Sequence, residues 1–134
     1  MTHEMPVDEP GVVIKLSPRS VGDTVARMTG LLAARGVRLF ETIDQRAAAR
    51  EVGLDLRETV LMIFGNPAAG TPVMVAAPLS ALDLPLKVLI WDDEGQTKVT
   101  YYAPAVLAAR HHLDPGLAAK LSVVDPLTDA LIAP

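Results

Sequence analysis

The residues best suited to chemistry lie around a sharp break in the chain, Gly65-Asn66-Pro67, which follows an apolar run. A short helix over Pro72–Ala77 is predicted next, since proline suits a first helical turn. The backbone N–H groups of Gly70 and Thr71 would then lie at the helix start and favour an anion. Asn66 and Thr71 could instead only form turn and capping hydrogen bonds. The segment matches neither the dinucleotide fingerprint nor the P-loop.

Lys87 is the second candidate, because it interrupts an apolar strand. Alternation places Leu86, Val88 and Ile90 on one face, and Lys87, Leu89 and Trp91 on the other. A partly buried ammonium needs a partner, for which Asp83 or Asp44 is available. Lys87 could therefore orient an anionic ligand, or it could be a lysine whose amine reaches solvent from an exposed sheet face.

Asp44 and Asp83 could form an acid–base pair, since both lie in segments next to predicted strands. The alternatives are a helix N-cap for Asp44 and a turn role for Asp83. No Ser–His–Asp arrangement is recognisable from the sequence. The candidate ligand-binding residues are therefore Asp44, Asn66, Gly70, Thr71, Asp83 and Lys87.

His111 and His112 do not predict a metal site, because adjacent helical residues point about 100° apart and the i, i+4 spacing of zinc helices is absent. A surface helix end, where histidine favours the helix dipole, explains them better. His3 belongs to an N-terminal tail. We predict no metal and no cofactor.

Composition excludes several classes of protein. The 134 residues contain no cysteine, which rules out disulfides, thiol nucleophiles and thiolate metal sites. Twelve basic against sixteen acidic residues, with 4% aromatics, disfavour a nucleic-acid binder. No secretory signal or membrane-length apolar run is visible, so we expect a cytoplasmic protein that does not bind membranes.

Strands and helices alternate along the chain. Strands are predicted at 12–16, 37–43, 59–64, 86–91 and 97–102, and helices at 20–35, 44–52, 72–77 and 104–112. Asp114-Pro115 and Asp125-Pro126 predict two further helix starts. In the second strand, Val37, Leu39, Glu41 and Ile43 are predicted to share one face.

The resulting order, βαβαβαββα, contains a hairpin around Asp92–Gly95, which makes the sheet at least partly antiparallel. We therefore predict an α+β fold with a curved mixed or antiparallel sheet of about five strands backed by helices. Residues 1–10 are predicted to be a flexible tail, and residues 11–134 a single domain.

The segment Phe64–Trp91 carries FGNP-x-x-GT, then LDLP and a K-V-L-x-W-type strand. It resembles the uncharacterised bacterial family catalogued as domain of unknown function 302, over about residues 12–113. The resemblance implies an α+β domain that is commonly a homodimer, without an established activity. Two positions depart from the family: Gln45 and Ala68 stand where the family often has histidine and lysine.

Three functions remain open. The first is a homodimeric domain that binds a small anionic or apolar molecule near the FGNP-x-x-GT turn. The second is a small acid–base enzyme that uses Asp44, Asp83 and Lys87. The third is a structural dimerisation or interaction protein, which the high mean hydropathy of +0.31 also favours.

Overall fold

The structure is a computed structural model that describes residues 10–134. The predicted flexible tail therefore lies outside the described residues, apart from Pro10, and so does His3. The described chain forms one α+β domain whose five strands make a single open antiparallel sheet. The predicted fold class and element order are confirmed.

The strands lie in the order β1-β5-β4-β3-β2, so β4 is central and β1 and β2 form the edges. The elements are β1 (Val12–Ser17), α1 (Val21–Ala34), β2 (Arg38–Asp44), α2 (Gln45–Glu51), β3 (Thr59–Gly65), α3 (Pro67–Ala76), a 3₁₀ helix (Pro78–Leu82), β4 (Leu86–Asp93), β5 (Gln96–Tyr102), α4 (Pro104–Arg110), α5 (Pro115–Ala119) and α6 (Val124–Leu131).

The core lies on one face of the sheet. Alternate residues of β3, β4 and β5 are buried on that face, and their neighbours on the other face are half-buried or exposed. Helices α1 and α6 contribute the opposing apolar layer. The fully buried large side chains include Phe64, Met28, Leu32, Met62, Ile90, Leu127 and Leu131. Lys87, Leu89 and Trp91 share the open face, as predicted.

Strand β2 does not keep the predicted alternation. Leu39 lies opposite Phe64 and Glu41 lies opposite Ile63, so the register shifts by one residue between them. The extra residue is Phe40, which forms a bulge that places Leu39 and Glu41 on opposite faces. The prediction that these two residues share one face is therefore wrong.

Helix α3 begins five residues earlier than predicted. Asn66 is its N-cap and Pro67 occupies the first turn, while Pro72 lies inside the helix. Gly70 is consequently an interior residue, and its N–H donates to the carbonyl of Asn66 at 2.8 Å. The proposal that the amides of Gly70 and Thr71 are free at a helix start is wrong, because the helix itself uses them.

Helix α6 also starts before the predicted position. It begins at Val124, and Asp125 lies in its first turn without capping it. The Asp125 carboxylate instead accepts a hydrogen bond from the Tyr101 hydroxyl at 2.7 Å. The other predicted proline start is confirmed, since Asp114 caps α5 through the Leu117 N–H.

Candidate functional site

The break after β3 borders an open cavity of about 290 Å³, which we call the turn cavity. Asn66 and Gly70 line it on the side of the turn. Its walls are mainly apolar and come from β2, α3, the segment before β4 and the segment around Leu121. The main apolar residues are Phe40, Met74, Leu84, Leu121 and Val123. The volume suits a small molecule or part of a larger one.

Two cations border this apolar space. Arg35 ends α1 and Lys120 ends α5, and both residues are exposed at the border of the turn cavity. Neither forms an ion pair with an acidic residue between positions 10 and 134. No aspartate or glutamate is among the lining residues. The turn cavity is therefore apolar inside and positively charged.

A second cavity, of about 470 Å³, lies where β4 and β5 diverge, and we call it the β4–β5 cavity. The paired part of the two strands ends at Leu89 and Thr100, so Lys87 and Tyr102 are not paired across the hairpin. The cavity is lined on one side by Leu61 of β3 and on the other by Leu107 of α4, which belongs to the core. Its polar lining includes Lys87, Asp83 and Thr100.

Lys87 is half-buried in this second cavity. Its amine donates to two backbone carbonyls, those of Pro85 at 3.2 Å and Asp83 at 3.4 Å. It forms no ion pair within the described residues. The predicted pairing of Lys87 with the carboxylate of Asp83 or Asp44 is therefore not found, and its charge remains uncompensated.

The carboxylate of Asp83 is held by helix α4 and the residue after it. Arg110 donates to Asp83 Oδ1 at 2.9 Å, and His111 Nε2 lies 2.6 Å from Asp83 Oδ2. Burial alone would raise the pKa of Asp83, but the hydrogen bonds from His111 and Arg110 outweigh it and hold that pKa below 3.8. Asp83 is thus a fixed anion.

The structure divides the six predicted ligand residues among several places. Asn66 and Gly70 line the turn cavity, and Asp83 and Lys87 line the β4–β5 cavity. Thr71 is exposed and lines neither of them. Leu86 borders both cavities, so they adjoin across the start of β4.

Asp44 lies at the far end of the sheet from these cavities. It caps α2 by accepting from the Ala47 N–H at 2.9 Å. It is paired with Val60, whereas Asp83 precedes β4 at the level of Phe64. Four residues of extended strand separate these levels by roughly 13 Å, so the two carboxylates are not brought together.

Four residues around the two cavities are not among the candidates that the sequence predicts. Arg35 and Lys120 line the turn cavity, and Arg110 and His111 hold Asp83 beside the β4–β5 cavity. The sequence predicts a surface position for His111, whereas its side chain is only 9% exposed. Arg35 and Lys120 occupy helix ends, where basic residues are common for reasons of the helix dipole. Nothing in their spacing indicates that they meet at one cavity.

Two further observations concern the residues that the structure describes. Between positions 10 and 134 no group of three or more His, Asp or Glu side chains is arranged to hold a metal ion. No helix in that range is long and apolar enough to cross a membrane.

Comparison with known proteins finds a family and a solved structure that match this chain. The model of the family described as domain of unknown function DUF302 matches residues 13–132. The chain belongs to the DUF302 family. A crystal structure of an uncharacterized conserved DUF302 protein from Bacillus stearothermophilus has the same fold, with a TM-score of 0.77 at 20% identity. That similarity covers 91% of this chain and 95% of the other.

Curated relatives are longer than this DUF302 chain. A protein named fluoride-specific ion channel FluC 1 from Brucella suis is 39% identical over 114 residues, which is 84% of this chain and 44% of that protein. A protein of the same name from Brucella abortus is equally similar, with 42% of its length covered. The chain therefore spans less than half the length of these relatives.

Proposed function

We propose that this DUF302 domain binds a small amphipathic anion in the turn cavity. One observation carries the proposal: an apolar cavity beside the FGNP-x-x-GT turn is bordered by two cations, Arg35 and Lys120, and by no acidic residue. Burying the apolar part of a ligand contributes about 25 cal/mol per Å². The two cations would hold the charged group, and the Asn66 side chain could add a hydrogen bond.

A pair of positive charges favours a dianionic head group, so an alkyl phosphate is the best probe. We expect hexyl phosphate to bind saturably in isothermal titration calorimetry. The double variant Arg35→Gln/Lys120→Gln should weaken binding by about tenfold or more, equivalent to about 1.4 kcal/mol. Hexanol, which lacks the charge, should bind more weakly than hexyl phosphate to the unmodified protein.

Arg50→Gln is the matched control, since Arg50 is an exposed arginine at the end of α2 and lines neither cavity. It should bind hexyl phosphate as the unmodified protein does. Absence of saturable binding to the unmodified protein, or equal weakening by Arg50→Gln, would contradict the proposal. The calorimetry tests binding alone. A role in acid–base catalysis has less support, because Asp44 does not lie near Asp83 and Lys87.

The domain is further proposed to act as a cytoplasmic homodimer. The support is a set of large apolar side chains that are each more than half exposed: Leu16, Val52, Leu54, Val75, Leu79, Leu82 and Tyr102. Contiguous apolar patches commonly mark interaction sites, and Val75, Leu79 and Leu82 follow one another closely on α3 and the 3₁₀ helix. Light scattering of the purified protein should give twice the 14.2 kDa chain mass. A monomer at all accessible concentrations would contradict this.

The Brucella relatives favour a second candidate function, that of a module working with a fluoride channel. The support is the 39% identity over 84% of this chain to proteins named as fluoride-specific channels. Deletion of the gene should lower tolerance of the host to sodium fluoride, whereas tolerance to sodium chloride should not change. Unaltered fluoride tolerance in the deletion strain would exclude this role.

A further inference from the structure

The β4–β5 cavity contains a positive charge without a matching negative one. Lys87 uses two of its three N–H donors on the backbone carbonyls of Asp83 and Pro85. Backbone carbonyls solvate an ammonium but do not neutralise it. The nearest carboxylate along the chain, that of Asp83, is already engaged by Arg110 and His111. One donor of Lys87 and its net charge are therefore available to a ligand.

A second donor lies on the same side of the sheet. Thr100 lines the cavity, and its hydroxyl oxygen accepts a hydrogen bond from Trp91 Nε1 at 2.9 Å. The hydroxyl hydrogen of Thr100 can still be donated. Thr100 is opposite Leu89, and Lys87 is two residues from Leu89 on the same face. Diagonal neighbours in a regular ladder lie roughly 7–8 Å apart. Lys87 lies beyond the last pair, where the strands diverge, so its distance from Thr100 is at least of that order, which one ligand can bridge.

The rest of the lining is apolar and partly aromatic. Leu61 and Leu89 form its floor on the open sheet face, and Tyr102 stands at the point where the strands diverge. The Tyr102 ring is 58% exposed and is contacted by the Arg110 guanidinium, 5.9 Å from its centroid. A flat or branched apolar body fits between these side chains, and about 470 Å³ is within the range of small-molecule sites.

The charges at this cavity also set the charge of the ligand. Among the described residues that line this cavity, Lys87 is the one cation, and the Asp83 carboxylate is already engaged by Arg110 and His111. This single cation contrasts with the two, Arg35 and Lys120, that border the turn cavity. From these observations we propose that the β4–β5 cavity is a second, separate binding site, and that it takes a small aromatic or branched monocarboxylate with Lys87 as its anchor.

The proposal is tested with 3-phenylpropanoate, followed by amide chemical shifts of the ¹⁵N-labelled protein. Saturable shifts are expected at Thr100 and Tyr102, and not at Asn66 or Gly70. Lys87→Met should weaken binding at least tenfold, whereas Lys87→Arg should keep most of it. Lys120→Met, which removes a cation from the turn cavity only, should leave this binding unchanged.

Two controls keep the test independent of protein stability and of the turn cavity. The neutral analogue 3-phenylpropanamide should bind the unmodified protein at least tenfold more weakly, and this needs no variant. Saturating hexyl phosphate should not displace 3-phenylpropanoate, since the two ligands occupy different cavities. Shifts confined to the turn cavity, equal binding of the amide, or no saturable shifts would each overturn the proposal, whatever the outcome for hexyl phosphate.

Discussion

Asp83 shows how a single residue can join elements distant in sequence. It precedes β4, yet its carboxylate contacts Arg110 and His111 at the end of α4, 27 and 28 residues later. The sequence favours a turn role for it, because aspartate is common in loops. Its actual partners could not be predicted, since they depend on the tertiary packing that brings the end of α4 to the segment before β4.

Asp83→Asn should make stability less dependent on acid pH. The folded-state pKa of Asp83 is depressed, so its charge stabilises the fold fully above the unfolded value near 4 and this contribution is lost as pH falls through the folded-state pKa. We expect the variant to lose about 1 kcal/mol at pH 7, because the pair is partly solvent-exposed. Urea unfolding at pH 7 and pH 3 measures this.

The difference in unfolding free energy between Asp83→Asn and the unmodified protein should be smaller at pH 3 than at pH 7. Asp55→Asn is the control, since Asp55 is exposed in the connector before β3. It should change stability by less than about 0.5 kcal/mol at either pH. An equal loss for both variants would show that the pairing of Asp83 is unimportant.

Lys15 and Tyr101 form a second cluster of titratable side chains, which contacts α6. Lys15 donates to Thr128 and Asp129, each at 2.7 Å, and the Tyr101 hydroxyl donates to Asp125. Burial opposes the charge of Lys15, but its interactions with Asp129 and Tyr101 outweigh burial and raise the pKa of Lys15 above 10.5. Burial raises the pKa of Tyr101 above 10.0. The hydrogen bonds of Lys15 and Tyr101 join β1 and β5 to α6, and both raised pKa values mean that these contacts are strongest while the two groups keep their protons.

Stability should therefore fall at alkaline pH. A group whose pKa is raised in the folded state stabilises the fold fully at any pH below its unfolded-state pKa. This stabilisation is lost as pH rises through the folded-state pKa, so the unfolding free energy should fall above about pH 10. Tyr101→Phe should cost about 1 kcal/mol at pH 7 and should reduce the alkaline slope. Thermal unfolding from pH 8 to pH 11 measures both.

Tyr102→Phe is the control, since Tyr102 is exposed. It should keep the pH dependence of stability of the unmodified protein. An equal change in that pH dependence for both variants would contradict the assignment to Tyr101.

Among the elements, α3 shows most clearly where local sequence misleads. Pro72 favours a helix start, but Pro67 has the same preference and follows a residue able to cap it. Asn66 accepts from the Ala68 N–H at 2.9 Å, and the helix continues past Pro72. The bulge at Phe40 is similar, because a one-residue register shift leaves no mark in the alternation of β2.

Variants of Asn66 should separate helix capping from ligand binding. Asn66→Ala should cost about 1 kcal/mol of unfolding free energy, whereas Asn66→Ser and Asn66→Asp keep a capping oxygen and should cost little. Asn66→Asp also places a negative charge at the turn cavity, so it should weaken hexyl phosphate binding more than Asn66→Ser does. Urea unfolding and calorimetry on the same samples measure both. Equal affinity of the two capping variants would show that the ligand does not approach Asn66.

At the scale of the whole molecule, periodicity and turn residues were sufficient for most of the architecture. Hydrophobic alternation predicts the five strands, and Glu94-Gly95 at positive φ closes the predicted hairpin. The site was predicted less well. Asn66 and Lys87 were recognised as candidates, but they lie in two adjoining cavities completed by Arg35, Lys120 and Thr100. Those residues come from helix ends and a neighbouring strand, and only tertiary packing brings them together.

The C-terminal helix is as much a part of the core as the sheet, and the last prediction concerns it. Leu131 is fully buried at three residues from the chain end, whereas Leu79 on the 3₁₀ helix is 71% exposed. Leu131→Ala should therefore cost about 2–5 kcal/mol, a large part of the 5–15 kcal/mol typical of a domain. Leu79→Ala, the same chemical change, should cost less than about 0.5 kcal/mol if measured on the monomer. Urea unfolding at a series of protein concentrations compares them. A loss of unfolding free energy for Leu79→Ala that grows with protein concentration would place Leu79 in an interface between copies of this chain. A small loss for Leu131→Ala would mean that α6 is dispensable to the core.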